Sequence, residues 1–185
     1  MSIFLSYSEA DADLVHRIFY ILSRLHLDPY AFKLFPEAGE FIHEIVLSRI
    51  KDSQYVVPFI TRWGVESQWV NQEIGAAHAL RKYIIPVVEA GVESKGFVDL
   101  KLRHTVGYQP TEPNRMIFSL IWRLCTLLRP QALDAECLKC GNTFVTKMPS
   151  FELWRNVINK GYLLQTECPC GNMVSLDPLT LEVMA

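Results

Sequence analysis

The sequence predicts an α/β fold built on a doubly wound parallel sheet of five strands, followed by a small C-terminal appendage, and three observations carry that reading. Short, continuous apolar runs alternate with stretches of helical spacing. The runs are apolar at successive residues, as strands buried on both faces are. Four of the five cysteines are gathered beyond residue 134, where the alternation stops.

Taken in order, Ile3-Phe-Leu-Ser-Tyr7 is the first buried strand. Residues 12–27 show helical spacing, with Leu14, Val15, Ile18, Phe19, Ile21, Leu22 and Leu25 on one face. Residues 27–32 form a second strand, and Pro36 and Gly39 mark the following loop, 33–39. Residues 40–51 read as a helix with Phe41, Ile42, Ile45, Val46 and Ile50 inward. Tyr55-Val-Val-Pro-Phe-Ile60 is the third strand. Pro58 lacks an N–H there, so an edge position or a local ladder defect is expected. Ser67 opens another helix, and Tyr83-Ile-Ile-Pro-Val-Val88 is the fourth strand. Residues 91–103 read as loop with one helical turn, and 105–108 as a short fifth strand. Pro113 suits the first turn of an apolar last helix reaching Leu128.

Half of the 185 residues are hydrophobic and 21% are charged, which fits a globular chain and excludes a disordered one. The net charge of −2 gives no overall attraction to nucleic acid or anionic lipid, so neither is expected as a partner. No apolar stretch approaches the length of a membrane span. The start, MSIFLSYSEADAD, meets acids after a short apolar run and has no basic segment, so no secretory leader is expected. The expected compartment is the cytosol, where paired cysteines more often hold metal than form disulfides.

One residue breaks the pattern. On a helical wheel with Val70 at zero and about 100° per residue, Trp69, Val70, Ile74, Ala76, Ala77 and Leu80 fill one arc. Glu73 falls inside it. A buried carboxylate must be neutralised, paired or placed in a ligand cleft. An ion pair with a distant Arg or Lys, an edge position reaching water, and a functional site all satisfy that demand. In parallel sheets the ligand crevice opens beyond the C-terminal strand ends, beside the first strand. In the flavodoxin-like strand order the helix carrying Glu73 follows the strand next to the first. Its start therefore lines the same crevice as Ser6, Tyr7 and Ser8. Those three can equally pack or cap, and Trp69 can equally belong to the core.

Ile3-Phe-Leu-Ser-Tyr-Ser8, Pro36-Glu-Ala-Gly-Glu-Phe41 and Ser67-Gln-Trp-Val-Asn-Gln-Glu73, followed by Ile84-Ile-Pro-Val, together resemble the Toll/interleukin-1 receptor (TIR) domain. The resemblance covers residues 1–131. One branch of that family cleaves the nicotinamide–ribose bond of NAD+; another consists of adaptors that act through protein contacts. The resemblance implies that Glu73 is the catalytic glutamate and that Ser6, Tyr7, Ser8, Phe35, Glu37 and Trp69 are substrate contacts. It also implies that the loop 33–41, with Glu37 and Gly39 at its acidic and glycine positions, joins neighbouring subunits in a homo-oligomer. Ser8-Glu9 departs from the basic residues some family enzymes carry there. The function implied is NAD+ glycohydrolase or ADP-ribosyl cyclase activity in defence or stress signalling. A non-catalytic adaptor and a nucleoside-type glycosyl transferase are the competing readings.

The appendage, 132–185, contains Cys137-Leu-Lys-Cys140-Gly141 and Cys168-Pro-Cys170-Gly171. Two thiolate pairs, each followed by glycine, match the knuckles of a zinc ribbon, and four sulfurs would close a tetrahedral, structural Zn2+ site. The second pair is C-x-C where C-x-x-C is usual; a disulfide or free thiols are the alternatives. Acids outnumber bases in this segment, which favours a protein partner over nucleic acid. Between the knuckles, residues 151–158 read as a helix ended by Gly161, and Cys125 as a core thiol.

Overall fold

The computed structural model describes residues 2–32, 42–93 and 105–184. The chain forms two compact units, Met1–Phe19 with Asp28–Met116, and Tyr20–Leu27 with Ile117–Ala185. The elements that meet the first unit are β1 (Ser2–Ser6), α1 (Ala12–Arg24), β2 (Asp28–Tyr30), α2 (Ile42–Asp52), β3 (Tyr55–Ile60), α3 (Gln68–Ala79), β4 (Tyr83–Ile84), β5 (Val87–Glu89), β6 (Val106–Tyr108) and α4 (Pro113–Leu128). The strands pair in parallel in the order β2-β1-β3-β5-β6, with β4 also on β3. Because β4 and β5 share one position beside β3, the sheet has five positions in flavodoxin-like order, as the alternation of elements predicts.

Pro58 sits in the central strand, not at an edge, and the ladder bends around it. β3 pairs with β4 at Tyr55–Tyr83 and Val56–Ile84, then with β5 at Phe59–Val87 and Ile60–Val88. The two ladders leave Val57–Pro58 and Ile85–Pro86 between them, and Pro58 and Pro86 have no N–H to donate there. The Ile85 N–H still reaches Val56 O at 2.9 Å, and Pro86 O accepts from Val106 N at 2.8 Å.

All six side chains of β3 are buried, which explains its unbroken apolar run. α2 and α3 cover one stretch of sheet through Phe4, Val46, Ile50, Val56 and Ala77, with Tyr30, Phe32, Trp69, Ala76 and Ile84 around them. Each such large apolar side chain contributes about 1.5–3 kcal/mol on burial. A second cluster, Ile60, Val70 and Ile74 with Val65, Val88 and Val92, fastens the start of α3 to β3 and β5.

Two helix ends differ from the sequence reading. α1 stops at Arg24, three residues short of the expected Leu27. His26 takes the left-handed conformation (φ 53°), and the Leu27 N–H closes back on Leu22 O at 3.1 Å. α3 ends the same way: Arg81 has φ 53° and Lys82 N–H reaches Ala77 O at 2.9 Å. Glycine is the usual residue at such a cap, so its sequence signal is missing at both. Leu80 consequently leaves the apolar arc and is exposed.

Glycine is required at Gly64, in the turn between β3 and α3. A Cβ there would lie 2.0 Å from the main-chain oxygen of Phe59, which β3 holds in place. Gly64→Ala is expected to destabilise the protein by about 3 kcal/mol, the overpacking cost where backbone cannot retreat. A denaturant midpoint equal to that of the wild type would show that the turn moves freely.

The second unit holds β7 (Ala132–Glu136), β8 (Thr143–Lys147), α5 (Phe151–Asn159), β9 (Leu164–Glu167), β10 (Met173–Leu176) and β11 (Val183–Met184). β7 pairs with β8, and β9, β10 and β11 form a second antiparallel sheet. Ser150 caps α5 by accepting from Leu153 N, and Gly161 (φ 66°) follows its end as expected. Trp154 is fully buried, donates Nε1–H to Pro178 O at 2.7 Å, and meets the rings of Phe118, Trp122 and Phe151. Arg24 Nε donates to Asp134 O at 2.8 Å and His26 Nε2 lies 2.9 Å from Asp134 Oδ1, so the end of α1 is tied to β7. Among the described residues no helix is long and apolar enough to cross a membrane.

Candidate active site and cysteine cluster

Ser67 caps α3, its Oγ accepting from Val70 N at 3.3 Å, and thereby fixes where the helix starts. The buried residues of α3 are Val70, Glu73, Ile74 and Ala77, so the carboxylate points inward as the wheel requires. Glu73 is 5% exposed. The Oγ of Ser6, the last residue of β1, donates to Glu73 Oε2. Glu73 also lines a cavity of about 180 Å³ with Trp69, Gln72 and Ala76 of α3 and His43, Val46, Leu47 and Ile50 of α2. Trp69 is flanked by two rings, Phe32 with centroids 6.1 Å away and His43 at 5.3 Å. The tryptophan is therefore a wall of the cavity and a partner of the core at once.

The α2 wall was not foreseen. Val46 and Ile50 were read as core, and His43 and Leu47 carried no periodic signal, because the space between two helices depends on how they pack and not on either pattern alone.

The residues after β1 are distributed unequally. Tyr7 is buried, and its phenol is pushed up to about 12, first by burial and then by the charges of Glu73 and Glu9. It is a neutral hydroxyl near the carboxylate across the physiological range. Ser8 donates to Asp11 Oδ2 at 3.0 Å, and Thr61 donates to the same oxygen at 2.8 Å. Burial raises the Asp11 pKa despite these two hydroxyls. Trp69, Ser6 and Tyr7 thus gather at Glu73, whereas Ser8 is engaged with Asp11. Phe35, Glu37 and Gly39, with the rest of the loop 33–41, lie outside the described residues, as does most of the expected loop at 91–103.

A further charged group at the strand ends escaped the sequence reading. Glu89, at the end of β5, is almost fully buried and takes three hydrogen bonds from Arg62: from N at 2.9 Å, from Nε at 2.8 Å and from Nη2 at 2.5 Å. Burial pushes Glu89 up, but the Arg62 hydrogen bonds and charge outweigh it and the net shift is downward. A simple signal, a carboxylate ending an apolar run (Ile-Pro-Val-Val-Glu89), marks it in the sequence. Here the answer is the ion pair.

In the second unit the Sγ atoms of Cys137, Cys140, Cys168 and Cys170 all lie within 4.8 Å of one another. Cys137 and Cys170 are 3.8 Å apart, as are Cys140 and Cys168. A tetrahedron with metal–sulfur bonds of about 2.3 Å has edges of about 3.8 Å, so the spacing fits a four-coordinate ion. Each pair lies in a tight turn. Gly141 (φ 72°) and Gly171 (φ 80°) donate to Cys137 O at 2.7 Å and Cys168 O at 2.8 Å. N–H groups of Cys140 and Lys139 directed at Cys137 bring its thiol down to about 6. For Cys168 the N–H of Cys170 works in the same direction, but burial and the neighbouring sulfurs outweigh it and hold the thiol at about 12. Four sulfurs this close cannot all ionise without a cation between them, and a metal ion would supply one.

A family model for the TIR domain matches residues 3–114. The chain belongs to the TIR domain family. Among solved structures, the TIR domain of the Toll-related receptor TRR-2 from Hydra magnipapillata is similar at 14% identity and TM-score 0.52, covering 69% of this chain and 94% of that one. The CMP N-glycosidase BcmB of Clostridium botulinum is similar at 16% identity and TM-score 0.42, covering 62% of this chain and 94% of that one. No curated protein matches the chain. The matched TIR span includes β1, α2 and α3, and so every described residue of the Glu73 cavity. The cysteine cluster lies beyond it.

Buried titratable groups make the TIR chain sensitive to alkali. Burial raises Cys125, in α4, from 9.0 to about 12, and Tyr7 rises from 10.0 to about 12. A raised pKa contributes stability that is complete below the ordinary value and is lost as pH climbs through the folded value. Stability should therefore fall between pH 9 and pH 12, with Cys125 accounting for about 3 kcal/mol of the loss by pH 11. Denaturant unfolding of wild type and Cys125→Ala at pH 8 and pH 11 checks this: the variant should lose less. An equal loss in both would clear the thiol of any part.

Proposed function

We propose that this protein is an NAD+ glycohydrolase or ADP-ribosyl cyclase that breaks the nicotinamide–ribose bond. The observation that carries the reading is the near-complete burial of Glu73 on the wall of a cavity, beside Trp69 and hydrogen-bonded by Ser6. Loss of nicotinamide builds oxocarbenium-like positive charge on the ribose, as in glycoside hydrolysis. A fixed carboxylate stabilises that charge at a site water reaches poorly. Trp69 offers a flat apolar face to a ring of the substrate. Tyr7 adds a neutral phenol nearby, and Ser8, Phe35 and Glu37 complete the proposed substrate contacts. Capture of the ribosyl cation by water gives ADP-ribose; capture by an atom of the same ligand gives a cyclic isomer.

The reading takes 1–131 as the TIR domain, acting in the cytosol as a homo-oligomer joined through the loop 33–41, in defence or stress signalling. It takes 132–185 as a zinc-ribbon-like module with a structural Zn2+ held by Cys137, Cys140, Cys168 and Cys170, and with a protein partner. Bound there, zinc would neutralise the crowded thiolates and staple two small sheets whose own core is limited. The direct test is incubation of the concentrated protein with NAD+ and detection of free nicotinamide. High concentration is needed because activity is tied to self-association. Absence of nicotinamide from concentrated, zinc-loaded protein would favour the adaptor reading.

A further inference from the structure

We propose that Ser6 is a positioning residue for Glu73 and not a contact to the ligand. Three observations carry this. Ser6 has 0% exposure, it is held in register opposite Pro58 of β3, and it is not among the residues lining the cavity, whereas Glu73 is. Its hydroxyl has a single proton, and that proton is given to Glu73 Oε2. A ligand in the cavity would meet the carboxylate and not the serine.

Two consequences follow from the chemistry. A hydrogen bond from a strand-held donor fixes the direction of the carboxylate, so the oxygens are aimed before any ligand arrives. A donor to the ionised form also favours ionisation, opposing the effect of burial, which favours the neutral acid. Ser6 therefore does for Glu73 what Arg62 does for Glu89, but with a neutral group. Tyr7, following β1, interacts with this carboxylate, and His43 lines the α2 wall of the same cavity. Tyr7 ionises far above the working range. His43 is unchanged in every variant below.

The inference rests on the glycohydrolase reading for its kinetic arm and on the hydrogen bond alone for its spectroscopic arm. In the kinetic arm, the pH dependence of NAD+ cleavage is compared for wild type, Ser6→Ala, Ser6→Cys and Ser6→Thr. Ser6→Ala is expected to lower kcat about tenfold or more, to leave KM within about twofold, and to move the acid limb of kcat/KM upward by about one pH unit. Ser6→Cys, close in size but a weak donor, should move the limb the same way, and Ser6→Thr, which keeps the hydroxyl, should restore it. In the spectroscopic arm, carbon-13 labelled glutamate side chains are titrated by NMR, with Glu73→Gln identifying the Glu73 signal. Its midpoint should rise in Ser6→Ala and Ser6→Cys and stay in place in Ser6→Thr. An unmoved midpoint in the Ala and Cys variants overturns the inference, as does a higher KM with kcat unchanged, the signature of a lost ligand contact. A wild type that leaves NAD+ intact overturns the function and not the inference, because the NMR titration still decides the latter.

Discussion

Glu73→Gln should abolish nicotinamide release, by on the order of 10³-fold or more, while leaving the protein folded. The two halves of this result come from one geometry. The amide keeps the shape of the side chain and can still accept from Ser6, so β1 and α3 remain joined. What disappears is the negative charge beside the cavity, and with it the electrostatic stabilisation of a ribosyl cation. Glu89, about equally buried, takes three hydrogen bonds from Arg62. Glu89→Gln should weaken the protein, because Arg62 loses its counter-charge. Thermal unfolding of both variants beside the nicotinamide assay separates the roles. A Glu73→Gln protein that unfolds easily and still cleaves NAD+ would make Glu73 a structural carboxylate and sink the enzyme reading.

The second large effect is expected on metal removal. Elemental analysis should find one zinc per chain, and a strong chelator should unfold the second unit. Structural zinc bound by four thiolates contributes on the order of 10 kcal/mol, more than a module of this size draws from its apolar core. Cys137 and Cys168 are the buried members of the two pairs, so replacing both with serine should lose the metal and loosen the module together. Trp154, whose indole is packed among Phe118, Trp122 and Phe151, reports the event as a red shift and loss of tryptophan fluorescence. Proteolysis should then cut in 132–185. Insensitivity to chelator combined with sensitivity to reductant would identify disulfides in place of zinc.

Much of this was legible in the sequence because the patterns concerned are local. Unbroken apolar runs foretold doubly buried strands, and all five strand positions are where those runs lie. Ser67 and Ser150 start their helices as capping residues do. The wheel found Glu73, since the phase of a helix is set by its own apolar residues. The two cysteine pairs with their glycines foretold a four-sulfur cluster because knuckle geometry is encoded within a few residues.

Other features were not legible because they depend on residues far apart or on unusual conformations. His26 and Arg81 end helices in the left-handed region without the glycine that announces such a cap. Pro58 indicated a ladder defect but not a central strand, because strand order depends on segments far apart in sequence. Arg62 and Glu89 are separated by most of α3, and each looks ordinary by itself.

The sequence by itself determined where the strands lie, the inward side of α3 and the sulfur cluster, because periodicity and short spacing are properties of one segment of chain. Only the tertiary structure decided what Glu73 meets. The packing of α2 against α3 leaves the cavity, the end of β1 delivers the Ser6 hydroxyl, and Arg62 is turned to Glu89. Burial makes a carboxylate costly wherever it occurs; its surroundings, assembled from distant segments, join Glu89 to Arg62 and bring Glu73 to Ser6 on a cavity wall.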